Sequence, residues 1–168
     1  MLNSQQTGIS LIFSNLIHAM NIIENQSNEE FIEEYSNHQE VIETVISSLD
    51  LDKTAMVNHG KEGSLWKFQY GSVEVFAHLT GETDDDLLTV WATVLKLPAK
   101  DELGLMRRLL EMNWSGTFET CFSIKDDMVV VSAQRTVADM YPAEVSRIIT
   151  LVANIADDND EILQEEFC

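Results

Sequence analysis

Apolar positions spaced three or four residues apart predict four helices along the chain. Residues 9–23 have this spacing and no charged side chain, so we expect an amphipathic helical arm there. Residues 36–49 predict a second helix, and Pro142, which suits a first helical position, opens a long fourth one. The third begins near Asp101, and its inward stripe is predicted to be Leu103, Met106, Leu109, Leu110 and Asn113.

A period of two predicts five strands, over residues 65–70, 73–79, 87–97, 117–124 and 128–134. Gly71 and Ser72 form a hairpin turn between the first two strands, because Gly suits the first position of such turns. Residues 50–63, rich in Asp, Asn, Lys and Gly, are predicted to be a connection. The order of elements predicts an α+β fold, with a largely antiparallel five-stranded sheet and helices on one face.

The polar stretch that begins at Glu24 divides the chain into two parts. We predict an arm and linker over residues 1–35 and a single α+β domain over residues 36–168, large enough to bury a core. The arm is too short for a membrane span, and it has neither the basic segment nor the cleavage site of a signal peptide. A start of translation at Met20 is an alternative explanation of the residues before it.

The formal net charge is −19, and its distribution is uneven. All ten Lys and Arg lie between Lys53 and Arg147, where they oppose fourteen acids. Residues 1–52 contain nine acids and no basic residue, and residues 148–168 contain six acids and no basic residue. Because such a surface repels phosphates and anionic headgroups, we expect no nucleic-acid partner and no membrane partner. Acidic helix faces that keep the protein in solution are the simplest explanation of the charge.

No motif for catalysis, cofactor binding or metal binding occurs in the sequence. The four histidines are scattered, and the acidic runs 84–86 and 157–160 lack the spacing of a calcium loop. The cysteines, Cys121 and Cys168, are too far apart in sequence for a metal motif, and we expect a cytoplasmic protein with free thiols. We therefore predict a protein that is not an enzyme and has no cofactor.

The most specific segment is the run LPAKDELGLMRRLLEMN, residues 97–113, followed by a Phe-bearing strand, an acidic turn, an apolar return strand and a Pro-initiated helix. This pattern resembles the YbjN-like family and also a related group of uncharacterised proteins of photosynthetic bacteria. The order of elements resembles the type III secretion chaperone-like fold. The resemblance implies a sensory or chaperone-like role without catalysis. The chaperones are homodimers that hold an extended partner segment on apolar patches, so the resemblance also implies a homodimer.

Alternation along the strands predicts which side chains face away from the helices. The outward set includes Phe76, His78, Trp91 and Cys121, and we predict a protein-interaction face there because exposed aromatics often mark binding. Alternatively, the arm covers this face within the same subunit. The resulting hypothesis is a non-catalytic protein-binding module that acts as a homodimer on a protein partner. The alternative is a regulator that responds to a small molecule or a divalent cation through its acidic loops.

Overall fold

The computed structural model describes residues 37–49, 54–60 and 63–168. The predicted arm and linker, residues 1–35, lie outside the described residues, and so does the alternative that the arm covers the sheet. Within the described part, no helix is long and apolar enough to cross a membrane.

The described residues form three helices and one six-stranded antiparallel sheet, which confirms the predicted α+β class. The strands are ordered β1-β2-β3-β4-β6-β5 across the sheet. In chain order the elements are α1 (His38–Ser48), β1 (Thr54–Gly60), β2 (Gly63–Tyr70), β3 (Val73–Leu79), β4 (Leu87–Lys96), α2 (Glu102–Ser115), β5 (Cys121–Lys125), β6 (Met128–Thr136) and α3 (Pro142–Phe167).

Strand β1 adds a sixth strand to the five predicted, in a region where the sequence predicted a connection. It pairs with β2 from Thr54 opposite Phe68 to Gly60 opposite Gly63, with a bulge between Ala55 and Val57. Its sequence, TAMVNHG, does not alternate apolar and polar residues. An edge strand has a neighbour on one side only, so pairing with β2 can order it without such a pattern.

The core lies between the inner face of the sheet and the helices α1 and α3. Helix α3 packs on β3, β4 and β6, and α1 packs on α3. One buried row crosses five strands in register: Phe68, Val75, Ala92, Val131 and Phe122. Helix α1 buries Val41, Ile42, Val45 and Ile46 on its inward side.

Asn37 is the N-cap of α1. Its side-chain oxygen accepts a hydrogen bond from the backbone N–H of Glu40 at 2.9 Å. This bond satisfies one of the N–H groups that a helix start leaves without an intrahelical partner. The cap therefore fixes where the described domain begins its first helix.

The predicted inward stripe of α2 is wrong at two positions. Leu105 and Leu109 are buried, whereas Leu103 and Leu110 are exposed. The helix packs beside the edge strand β5 and not across the middle of the sheet. A helix at the edge of a sheet covers less of its own surface, so part of an apolar stripe stays outside.

Asn113, also predicted to face inward, has a specific role at the sheet edge. Its side-chain oxygen accepts from the backbone N–H of Phe122 at 2.7 Å, and its amide nitrogen donates to the Phe122 carbonyl at 3.2 Å. The amide thereby pairs with the edge of β5 as a neighbouring strand would. The backbone groups of Phe122 are therefore not available for pairing with another strand.

Candidate interaction surface

The structure places the four predicted interaction residues on the outer face of the sheet. Phe76 on β3 is directly opposite Trp91 on β4, and Trp91 is opposite Ser132 on β6, which in turn is opposite Cys121 on β5. His78 lies in the next row, opposite Thr89. The sheet therefore brings Phe76 and Trp91 together, while Cys121 lies two strands, or about 10 Å, beyond Trp91.

Phe76 and Trp91 form a stacked aromatic pair on this face. Their ring centroids are 5.2 Å apart and the ring planes differ by 7°. Both side chains are half-buried, so part of the surface of the pair remains accessible to solvent. Stacked aromatic rings that retain exposed area present a rigid apolar platform, which costs little conformational entropy when a ligand binds.

Two lysines flank the aromatic pair. The Lys67 ammonium is 5.5 Å from the centre of the Phe76 ring, and the Lys125 ammonium is 5.5 Å from the centre of the Trp91 ring. Each lysine also pairs with a carboxylate, Lys67 with Glu74 and Lys125 with Asp126. With these cation–π contacts, four side chains lie in contact in the order Lys67, Phe76, Trp91 and Lys125.

The outer face of the sheet and the C-terminal part of α3 differ in their charged residues. Lys96 is opposite Met128 on the same face, so three of the ten basic residues of the chain lie on it. The acidic residues of α3, in contrast, lie within its last eleven residues, 157–167, apart from Glu144 in the first turn. Within the described residues, the last eleven residues of α3 are therefore strongly acidic, whereas the aromatic pair is bordered by two ammonium groups.

Hydroxyl and amide groups on the rest of the outer face bond with one another. Ser123 and Ser132 are 2.8 Å apart, and Gln134 donates to the Thr89 hydroxyl at 2.8 Å. The Cys121 sulfur is 3.8 Å from the Ser132 hydroxyl, which is too weak a base to activate a thiol. Contact with Ser132 therefore does not make Cys121 a catalytic nucleophile.

The acidic loops are used by the fold itself. Asp84 lies 3.2 Å from His38, and Asp157 accepts from the backbone N–H and hydroxyl of Ser72 at 2.6 and 2.7 Å. Among the described residues, no group of three His, Cys, Asp or Glu side chains is placed to hold a metal ion. Of the other predicted surface histidines, His18 and the side chain of His59 lie outside the described part.

Asp86 is the carboxylate most strongly held by its own loop. The hydroxyls of Thr80 and Thr83, both at 2.7 Å, and the Thr83 backbone N–H at 2.9 Å donate to it. These bonds lower the pKa of Asp86 below its ordinary value of 3.8, and the bond from the Thr80 hydroxyl has the largest effect. The loop thus stabilises the charged carboxylate.

The Asp86 bonds give a pH dependence of stability. Because the folded pKa is lowered, the stabilisation is complete above the unfolded pKa, about 4, and is lost as the pH falls through the lowered value. We expect Asp86→Asn to reduce the loss of melting temperature between pH 5 and pH 2, in thermal unfolding followed by circular dichroism. Asp85→Asn removes the same charge one residue away and is the control. Equal pH profiles for the two variants would contradict the prediction.

Helix α2 carries a second exposed surface that the sequence did not predict. Leu103, Leu110 and Trp114 are 84%, 69% and 93% exposed, and together with Met106 they line one shallow groove. We call these four residues the α2 strip. A signal for it was present, since the apolar residues of α2 cover more of the helix circumference than one packed face needs.

These features define a small α+β protein with exposed apolar surfaces and, within its described residues, no group of three His, Cys, Asp or Glu side chains placed to hold a metal ion. Residues 38–165 match the model of the YbjN family, described as "Putative bacterial sensory transduction regulator". The chain therefore belongs to the YbjN family. No curated protein matches it.

Proposed function

We propose that this protein is a non-catalytic, cytoplasmic regulator that acts as a homodimer and binds a protein partner on the outer face of its sheet. Membership of a family described as regulatory supports the general role. The single observation that carries the binding site is the stacked Phe76–Trp91 pair, half-buried and flanked by Lys67 and Lys125. Large rigid aromatics on an open face are the residues that dominate binding energy in protein interfaces.

The chemistry of this face favours an extended segment with apolar or aromatic side chains flanked by carboxylates. The stacked rings supply the apolar contact, and the ammonium groups of Lys67, Lys96 and Lys125 supply charge complementarity. The acidic helices alone would favour basic partners. The lysines beside the rings place ammonium groups at the site itself, where a partner carboxylate would share Lys67 with Glu74 and Lys125 with Asp126.

The alternative function, regulation by a small molecule or a divalent cation through the acidic loops, gains no support from the described residues. Asp86 is satisfied by Thr80 and Thr83, and Asp157 by Ser72. A cation would have to compete with these internal bonds. We therefore retain protein binding as the proposed function.

The proposal is tested by placing a photo-reactive benzophenone amino acid at position 76 of the full chain in living bacterial cells. Irradiation is expected to give a discrete adduct that is absent when the same group is at position 162, on the exposed side of α3. Adding Trp91→Ser is expected to weaken the adduct at least about tenfold, because the aromatic platform is lost.

Ile162→Ser is the matched control for Trp91→Ser, and circular dichroism verifies that both variants fold. The same adducts from positions 76 and 162 would show that the sheet face is not a specific site. An adduct unchanged by Trp91→Ser would show that the aromatic pair does not bind the partner. Either result would refute the proposed site.

A further inference from the structure

The α2 strip is a continuous apolar line along one side of a helix. Its members follow one another at spacings of three, four and four residues, which keeps them on one side over about three turns. The buried residues Leu105 and Leu109 face the body of the domain about a third of a turn away. The strip is therefore additional to the packed face of α2.

The exposure of the strip requires an explanation. Three of its four side chains are more than two-thirds exposed, and one is a tryptophan. Folded monomers expose single apolar residues commonly, but a contiguous line of large ones usually marks an interaction site. Arg107 and Glu111, both exposed, border the same groove.

The order of residues along the strip is nearly symmetric about its own middle. Leu103 and Trp114 lie at equal distances from a point between positions 108 and 109, and Met106 and Leu110 are symmetric about position 108. Arg107 and Glu111 are symmetric about position 109. In an antiparallel pair of identical helices, a two-fold axis near this point brings each of these residues opposite its counterpart on the other copy.

This symmetry makes the surface complementary to itself in both shape and charge. In such a pair, apolar side chains would meet apolar side chains, and Arg107 of each copy would meet Glu111 of the partner subunit on both sides of the axis. The existing contact between Arg107 and Glu111 within one helix is 3.4 Å long and exposed, so both side chains can turn to the partner at little cost.

We propose that the α2 strip is the interface at which two copies of this chain form a symmetric dimer, with their α2 helices antiparallel. The inference rests on the homodimer part of the proposed function and assigns it a surface separate from the outer sheet face. Asn113 occupies the backbone groups of Phe122 at the nearby edge of β5, and the proposed interface uses the α2 helices rather than that edge.

The first test measures the mass of the full chain by sedimentation velocity over a range of concentrations from about 1 to 100 µM. We expect a reversible dimer whose dissociation constant rises at least about tenfold in Leu110→Glu and in Trp114→Ser. Ile162→Glu introduces the same charge at a large apolar residue that is 55% exposed elsewhere and is expected to leave the dimer unchanged.

The second test uses the charged pair. Arg107→Glu puts a carboxylate opposite Glu111 of the partner subunit, and Glu111→Arg puts a guanidinium opposite Arg107 of the partner subunit, so each variant alone is expected to dimerise weakly. Mixing the two variants makes both cross-axis pairs attractive. Native mass spectrometry of the mixture is therefore expected to show mainly the heterodimer, which the contact within one helix cannot explain.

The outcomes separate this inference from the proposed function. A dimer unaffected by the strip variants, or a mixture without preference for the heterodimer, overturns the α2 interface and leaves the homodimer standing. A wild-type chain that is monomeric throughout overturns both the interface and the homodimer. The cross-link at position 76 is measured independently and decides partner binding in each case.

Discussion

Replacing Ile149 with Ala is expected to lower the free energy of unfolding by about 2–5 kcal/mol. Ile149 lies in the middle of α3 and is fully buried against the sheet. Truncation removes buried methyl and methylene groups and leaves a cavity that a closely packed core fills only in part. Urea unfolding followed by circular dichroism measures the change.

Ile162 provides a matched control on the same helix, because it is 55% exposed. Ile162→Ala makes the same chemical change within the same helix but creates no cavity. We expect its stability to remain within about 0.5 kcal/mol of the wild type. Similar losses in the two variants would mean that α3 does not pack on the sheet through the Ile149 side.

Replacing Gly63 with Ala is expected to cost about 3 kcal/mol or more. Gly63 begins β2 with φ of 99°, a conformation that other residues adopt only with strain. A Cβ added there would lie 1.9 Å from the carbonyl oxygen of Leu79. That oxygen belongs to the backbone of β3, so the clash is relieved only by moving two paired strands apart.

Gly116→Ala is the control for the glycine substitution. Gly116 follows α2 with φ of −151°, and the nearest atom to an added Cβ is the Met112 carbonyl oxygen at 3.9 Å. Ala fits this site, so its stability is expected to equal the wild type or to exceed it by about 0.5 kcal/mol. A Gly63→Ala protein with the melting temperature of Gly116→Ala would refute the argument from backbone geometry.

The parts of the fold that the sequence predicted are those with a strong local pattern. In α1 the apolar residues recur at helical spacing and Asn37 caps the start. In β2 the predicted alternation, with Trp66 and Phe68 on one face, matches the observed burial. The alternation predicted for β3 matches it as well. Such segments are predictable because one buried face selects both the period and the register.

The sequence did not predict features that depend on neighbouring elements in space. Strand β1 has no alternation of its own and forms beside β2. The inner face of α2 was assigned partly to Leu103 and Leu110, which are exposed, because the apolar pattern of that helix fits more than one orientation. Leu105 and Leu109 are buried because α2 lies at the edge of the sheet, and no local sequence pattern shows where the helix lies.

The candidate site also has a part that the sequence predicted and a part that only the structure shows. Alternation correctly placed Phe76, His78, Trp91 and Cys121 on one face of the sheet. Stacking of Phe76 on Trp91 and the approach of Lys67 and Lys125 depend on the strand order, and so only the structure revealed them. Whether this face binds a partner stays a prediction.

By itself, the sequence determined the α+β class, the helical and strand periods and the acidic excess, because each follows from the order and type of residues along the chain. The tertiary structure determined which apolar residues are buried in the core and which remain exposed to solvent. Trp114 and Trp66 illustrate this difference, since one is almost fully exposed and the other is buried. A local pattern shows that a residue is apolar, but only its neighbours in space determine whether it is covered.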